Sequence, residues 1–248
     1  HGVSDVYVTD RTTGVTSLVS RSTSGTPGNA TSIAPSISAD GRWIAYWSFA
    51  SNLVAGDTNA VADVFLTDRT TGATSRISTA TDGSQGNGES NEPSISADGR
   101  WISYASYASN LVADDTNGVP DVFVTDRTTG TTTLVSRATD GALGNGASRN
   151  PSIDADGRWI TYEAYASNLV TGDTNGRGDV FVADRTTRVT ALVSVSTDGT
   201  PANGMSLGPA ISADGTWITS SSDAWNLVPG DTNDGLFDVY VTGNPLAR

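Results

Sequence analysis

Residues 93–106 read PSISADGRWISYAS, and residues 121–136 read DVFVTDRTTGTTTLVS. Four short runs stand out within them: PSIS at 93–96, RWISYAS at 100–106, DVFVTD at 121–126 and TTTLVS at 131–136. Val, Ile, Thr, Tyr and Phe dominate these runs. Apolar and polar residues alternate along them, as in strands with one face buried. Ala-Asp-Gly-Arg separates the first pair and Arg-Thr-Thr-Gly the last pair. Both are hairpin chemistry, with glycine supplying the positive φ. No window carries helical periodicity. The stretch therefore predicts four antiparallel strands, A to D, with one long link between B and C.

The same unit recurs along the chain. Trp43, Trp101, Trp159 and Trp217 are each 58 residues apart, as are Asp57, Asp115, Asp173 and Asp231, and Asn29, Asn87, Asn145 and Asn203. Four antiparallel strands in a repeat of this size describe a propeller blade. The predicted fold is an all-β propeller in a single domain, 1–248. Strands C and D fall within 1–22, followed by repeats at about 32–89, 90–147, 148–205 and 206–248. Strand A occurs near 36, 94, 152 and 210, whereas strand C starts at Asp5, Asp63, Asp121, Asp179 and Asp238. Four inner strands predict four blades, closed by the N-terminal strands at the edge of the last. Two alternatives stay open: part of a five-bladed ring, or a larger ring made by two chains. The opening His1-Gly2-Val3-Ser4-Asp5 aligns with Asn117-Gly118-Val119-Pro120-Asp121, so the chain reads as starting in mid-loop.

The phrases Ser-x-Asp-Gly-Arg-Trp-Ile and Asp-Val-Phe-Val-x-Asp resemble the WD40-like, TolB-type (PD40-type) propeller repeats of bacterial proteins, over nearly the whole chain. That resemblance implies the fold. The family includes periplasmic interaction modules, and similar repeats are appended to peptidases and other secreted enzymes. It implies no particular chemistry.

Acid outnumbers base 27 to 14, every basic residue is Arg, and the net charge is −13. Nucleic acids and anionic membranes need basic footprints, so neither is an expected partner. No apolar run reaches the ~20 residues of a membrane-spanning helix. Cysteine is absent, which rules out disulfides and thiolates. The composition reads as that of a secreted bacterial protein.

The B–C and D–A connections are long and share one face of a propeller, so binding is expected there. The B–C link contains Asp-Thr-Asn followed by Asp. Its oxygen-bearing side chains suit either calcium or a self-bonded turn. The candidate metal ligands are Asp57, Asn59 and Asp63; Asp115, Asn117 and Asp121; Asp173, Asn175 and Asp179; and Asp231, Asn233 and Asp238. The periodic Trp residues read as blade packing. Trp47 and Trp225 each occur in one unit only and are candidate ligand-stacking residues, with Asn87 and Asn145 of the D–A loops as further candidate ligand-binding residues. Asp10, Asp68, Asp126 and Asp184, each followed by Arg in the C–D turn, suggest an ion pair across that turn.

With His1 as the single histidine, no internal triad can be built. Glu163, with Asp223 as partner, is the candidate for a glycoside hydrolase or lyase. The main reading is a secreted, non-catalytic, multivalent module binding a glycan or a protein on the long-loop face, with calcium sites and self-association as further expectations. A calcium-stabilised scaffold segment of a larger extracellular protein is the alternative.

Overall fold

The computed structural model describes residues 2–232 and 235–247. Among them the chain forms five antiparallel sheets and no helix. A two-stranded ribbon comes first, β1 (Tyr7–Thr9) and β2 (Thr16–Leu18). The first full sheet holds β3 (Ser32–Ile37), β4 (Trp43–Ser48), β5 (Asp63–Asp68) and β6 (Thr74–Arg76). The second holds β7 (Ser90–Ile95), β8 (Trp101–Ser106), β9 (Asp121–Asp126) and β10 (Thr131–Leu134). The third holds β11 (Ser148–Ile153), β12 (Trp159–Ala164), β13 (Asp179–Asp184) and β14 (Val189–Leu192). The last has three strands, β15 (Ser206–Ile211), β16 (Trp217–Ser222) and β17 (Asp238–Gly243). Strand order within each sheet follows the chain, as in propeller blades.

Each full sheet buries a Tyr of strand B against a Phe of strand C. The pairs are Tyr46–Phe65, Tyr104–Phe123 and Tyr162–Phe181, with ring centroids 6.1, 6.1 and 5.9 Å apart. Between sheets, Ile95 of β7 packs with Val64 and Leu66 of β5. Burying one such side chain contributes about 1.5–3 kcal/mol. The A–B turns interlock as well. A Cβ on Gly99 would lie 2.3 Å from the Trp43 ring, so only glycine fits, and its φ of +69° also favours glycine. Arg127 of the second sheet covers the same ring at 3.8 Å, and Arg185 of the third covers Trp101 at 3.4 Å. Backbone bonds of 3.0 Å run from Ala39 to Ala97, from Ala97 to Ala155 and from Ala155 to Ala213.

Strand A extends further than the alternation predicted. The strand predicted at 93–96 begins at Ser90, with a register break between Asn91 and Ser94. Glu92 sits there at φ 54°, as do Ala34, Asn150 and Gly208 in their sheets, at 51°, 50° and 58°. The proline that follows offers no N–H to the ladder, and the bulge lets pairing resume around it.

The ion pair expected across the C–D turn forms with a different arginine. Asp68, Asp126 and Asp184 accept from Arg42, Arg100 and Arg158 of the A–B turn, at 2.8, 2.7 and 2.8 Å. The sequence-adjacent Arg127 and Arg185 point at the neighbouring sheet instead. Arg42 holds Asp68 below the usual carboxylate range, and Arg100 does the same for Asp126.

The ribbon rests on the first full sheet, where Val6 and Val19 pack with Ile44, Tyr46 and Phe65. β1 and β2 pair only with each other. The expected closure, in which they complete the last sheet, is not among the strand pairings described.

Candidate functional site

The D–A and B–C loops are bound together at one end of every sheet. Asn87 accepts from the Ser109 N–H (2.9 Å), donates to Ser109 Oγ (3.0 Å), and its own N–H bonds Asn110 Oδ1 (2.9 Å). Asn145 repeats this with Ser167 and Asn168. Both asparagines therefore hold one loop to the other. In the last unit Trp225 takes the serine's place and is 59% exposed, while Asn203 N–H still bonds Asn226 (2.9 Å).

The Asp-Thr-Asn phrase forms a tight network beneath these loops. Asn117 donates to Asp121 Oδ2 (2.7 Å) and to the Gly144 carbonyl (3.1 Å), while its Oδ1 accepts from Val119 N–H (3.2 Å). Ser136 donates to Asp121 Oδ1 (2.5 Å). Asn59 with Asp63, and Asn175 with Asp179, are built alike. Burial pushes the carboxyls of Asp121 and Asp179 up to about 6, and raises those of Asp57, Asp115 and Asp173 above the usual range.

The first unit differs from the others. Arg76 reaches Asp57 (3.4 Å) and Asp63 (3.3 Å), where the second and third units carry Leu134 and Leu192. In the third unit Asp173 Oδ1 is buried without a hydrogen-bond partner. In the fourth, Tyr240 donates to Asp231 (3.0 Å), Asp238 begins β17, and Asn233 lies outside the described residues. Among the described residues no cluster of three or more acidic or histidine side chains is arranged to hold a metal.

At this same end of each sheet, strand A begins and strand B ends. Here equivalent seats carry unlike residues. The facing pair is Ile33–Trp47 in the first sheet, Asn91–Ala105 in the second, Arg149–Glu163 in the third and Leu207–Ser221 in the last. The next seat along strand B holds Phe49, Tyr107, Tyr165 or Asp223. Phe49, Tyr107 and Tyr165 are 47%, 49% and 48% exposed. Trp47 meets Phe49 edge to face at 5.4 Å. Arg149 stacks over Tyr107 of the neighbouring sheet and donates to its hydroxyl. Its Nε is buried without a partner.

Glu163 and Asp223, the carboxylates considered for catalysis, both accept backbone N–H groups. Glu163 is buried and bonds Gly208 N–H of the next sheet (2.9 Å). Asp223 bonds Met205 N–H (2.5 Å). Glu92 caps Asn150 N–H (2.9 Å) in the same fashion as Glu163. Each glutamate thus satisfies the amide at the neighbouring bulge.

No known family model matches this chain, and no curated protein does. Solved structures match throughout its length. TolB from Acinetobacter baumannii superposes with a TM-score of 0.55 and 17% identity, over 96% of this chain and 46% of that one. The fold is that of the TolB-type β-propellers. The tricorn protease (TM-score 0.53, 15% identity, 89% of this chain, 21% of that one) shares it. So does an oligogalacturonate lyase in complex with manganese (0.53, 12%, 96% and 56%). The chain spans less than two thirds of each of these proteins.

On this TolB-type scaffold the residues missed by sequence reasoning are Phe49, Tyr107, Tyr165 and Arg149. The signal was present in the aligned repeats. An aromatic at one seat of three units looks like packing until its exposure is known. A groove of about 400 Å³ lies away from these seats, between the second and third sheets. Its Arg137 is already paired with Asp114 at 2.7 Å, so the seats where strand A begins and strand B ends are the better candidate.

Proposed function

We propose that this propeller is a non-catalytic, extracellular binding module that takes a glycan at the mouth of its long-loop face. One observation carries the reading. The four units share their scaffold residues but differ at the mouth, where Phe49, Tyr107 and Tyr165 are half exposed and Arg149 stacks over Tyr107. Aromatic faces with a few oriented polar groups are the usual equipment of a small-ligand site. Because the seats are unlike, the mouth forms one composite site rather than four equal ones. Holding Glu163 and Asp223 on backbone amides favours binding over turnover.

The test is a glycan array followed by titration of any hit. Tyr107→Ala with Tyr165→Ala should weaken that hit at least tenfold while the melting temperature stays within a few degrees. An array without a hit refutes the glycan reading and leaves a protein ligand, sought by the same substitutions.

A second reading, a calcium ion in the third B–C loop, is favoured by the orphan Oδ1 of Asp173 beside Asp179. The second loop shares the Asn-to-Asp bond of the third, but no Asp115 oxygen is among the buried groups left without a partner. Bound calcium must raise the melting temperature by linkage, so melts with calcium and with chelator that coincide reject it.

A further inference from the structure

The two ends of the sheet array are matching halves of the contact that joins its sheets. At each internal junction the Trp of one sheet is covered by the A–B turn glycine of the next, Gly99 on Trp43, Gly157 on Trp101 and Gly215 on Trp159. At the last sheet Trp217 has no such cover and is 57% exposed. At the first sheet Gly41 and Arg69 are joined by a 2.6 Å bond, like Gly99 and Arg127, but cover no Trp. The Ala-to-Ala backbone series runs from the Ala39 N–H to the Ala213 carbonyl, so the Ala39 carbonyl and the Ala213 N–H stand at its two outer ends, outside the series. Val239 and Val241 of β17 are 77% and 64% exposed, whereas their equivalents in the three full sheets are at most 1% exposed. Ile37 of β3 is 50% exposed, against 7% for Ile95 and for Ile153.

A sequence identity reinforces the match. Residues 5–9 and 238–242 both read DVYVT, so the segments that contain β1 and β17 share one strand C sequence. The full sheets face Tyr of strand B with Phe of strand C. In the last sheet strand B carries Ser220, facing Tyr240. β1 carries Tyr7, the residue that a Ser-bearing strand B accepts.

We propose that two copies of this chain associate head to tail, the last sheet of one docking on the first sheet of the next. Trp217 of one copy then lies under Gly41 and Arg69 of the other, and the Ala213 N–H meets the Ala39 carbonyl. The second copy's β1 and β2 keep their place on its own first sheet and β1 pairs with β16, so that β17 leaves that edge. The result is a four-stranded sheet built from two chains. The junction has one bond fewer than the internal ones, because Ala210 stands where Ser36, Ser94 and Ser152 accept from the next sheet. Such a contact is heterologous, so it leaves a free end at each side or closes into a ring.

The chain lacks cysteine, so cross-linking gives a clean test. Internal Ala-to-Ala junctions bring N and O within 3.0 Å, which places the α-carbons within the ~4.4–6.8 Å a disulfide needs. Ala39→Cys and Ala213→Cys should each stay monomeric on a non-reducing gel, and their oxidised mixture should give a covalent dimer. A mixture that stays monomeric, with the double variant cross-linking only within one chain, overturns the proposal in favour of closure within a single chain. By sedimentation, Trp217→Ala should weaken association at least about tenfold. Removing residues 238–248 should preserve or strengthen association, and its loss in that variant would refute the strand exchange.

Discussion

At the scale of single residues, the third unit shows what a departure from the repeat costs. Ser38, Ser96 and Ser212 donate to Asp40, Asp98 and Asp214 at 2.5, 2.6 and 2.5 Å. Asp154 replaces that serine beside Asp156 and also accepts from Trp159 N–H (3.0 Å). Burial, with the neighbouring Asp156 adding to it, pushes its carboxyl up to about 7. An acid whose pKa is raised on folding binds more protons folded than unfolded. Its contribution is therefore lost as pH rises from about 4 to about 7. Asp154→Ser should raise stability by about 0.5–2 kcal/mol, the usual yield of restoring a consensus residue. The gain should be larger at pH 8 than at pH 5, and melts at both values check it. Ser148 and Tyr162 tell a related story. Ser148 Oγ is buried without a partner because Ala164 stands where Ser48 and Ser106 bond Ser32 and Ser90 at 2.8 Å. Tyr162 Oη is likewise orphaned, with Ala183 where Thr67 and Thr125 bond the equivalent tyrosines.

At the scale of elements, period-two alternation and Gly-bearing turns were enough to place strands B and C within a residue of their observed bounds. The start of strand A was not legible, because a left-handed residue before proline carries no periodic signal. Neither was the destination of each arginine. Arg42 and Arg69 both flank turns, and only the packing of one sheet on the next decides that Arg42 takes Asp68. The same limit hid the mouth, since exposure of Tyr107 depends on how far apart adjacent sheets stand there. The A–B turn glycine shows the packing logic from the other side. Gly99→Ala adds a methyl carbon 2.3 Å from Trp43 and keeps a positive φ. It should destabilise by about 2–4 kcal/mol, whereas Gly130→Ala, with nothing within 4 Å of the added carbon, should lose only about 1 kcal/mol from its φ. Urea melts of the two variants compare them directly.

For the whole molecule, stability follows from sheets that touch only their neighbours, so it approximates a sum of units and junctions. The second sheet is packed on both sides and holds none of the orphaned side-chain groups. The third holds Ser148, Tyr162 and Asp173 atoms without partners, together with Arg149 Nε. Hydrogen exchange should therefore be slowest in β8 and β9, and β12 and β13 should exchange faster although they are as deeply buried. Equal protection of the two sheets would contradict this ranking. A weak unit inside a linear array has a further effect on how the molecule comes apart. Transient opening of the third sheet exposes its loops while the first and second stay folded. Under limiting protease the first lasting product should then be a fragment ending near residue 145, in place of the ladder that fraying from the ends would leave.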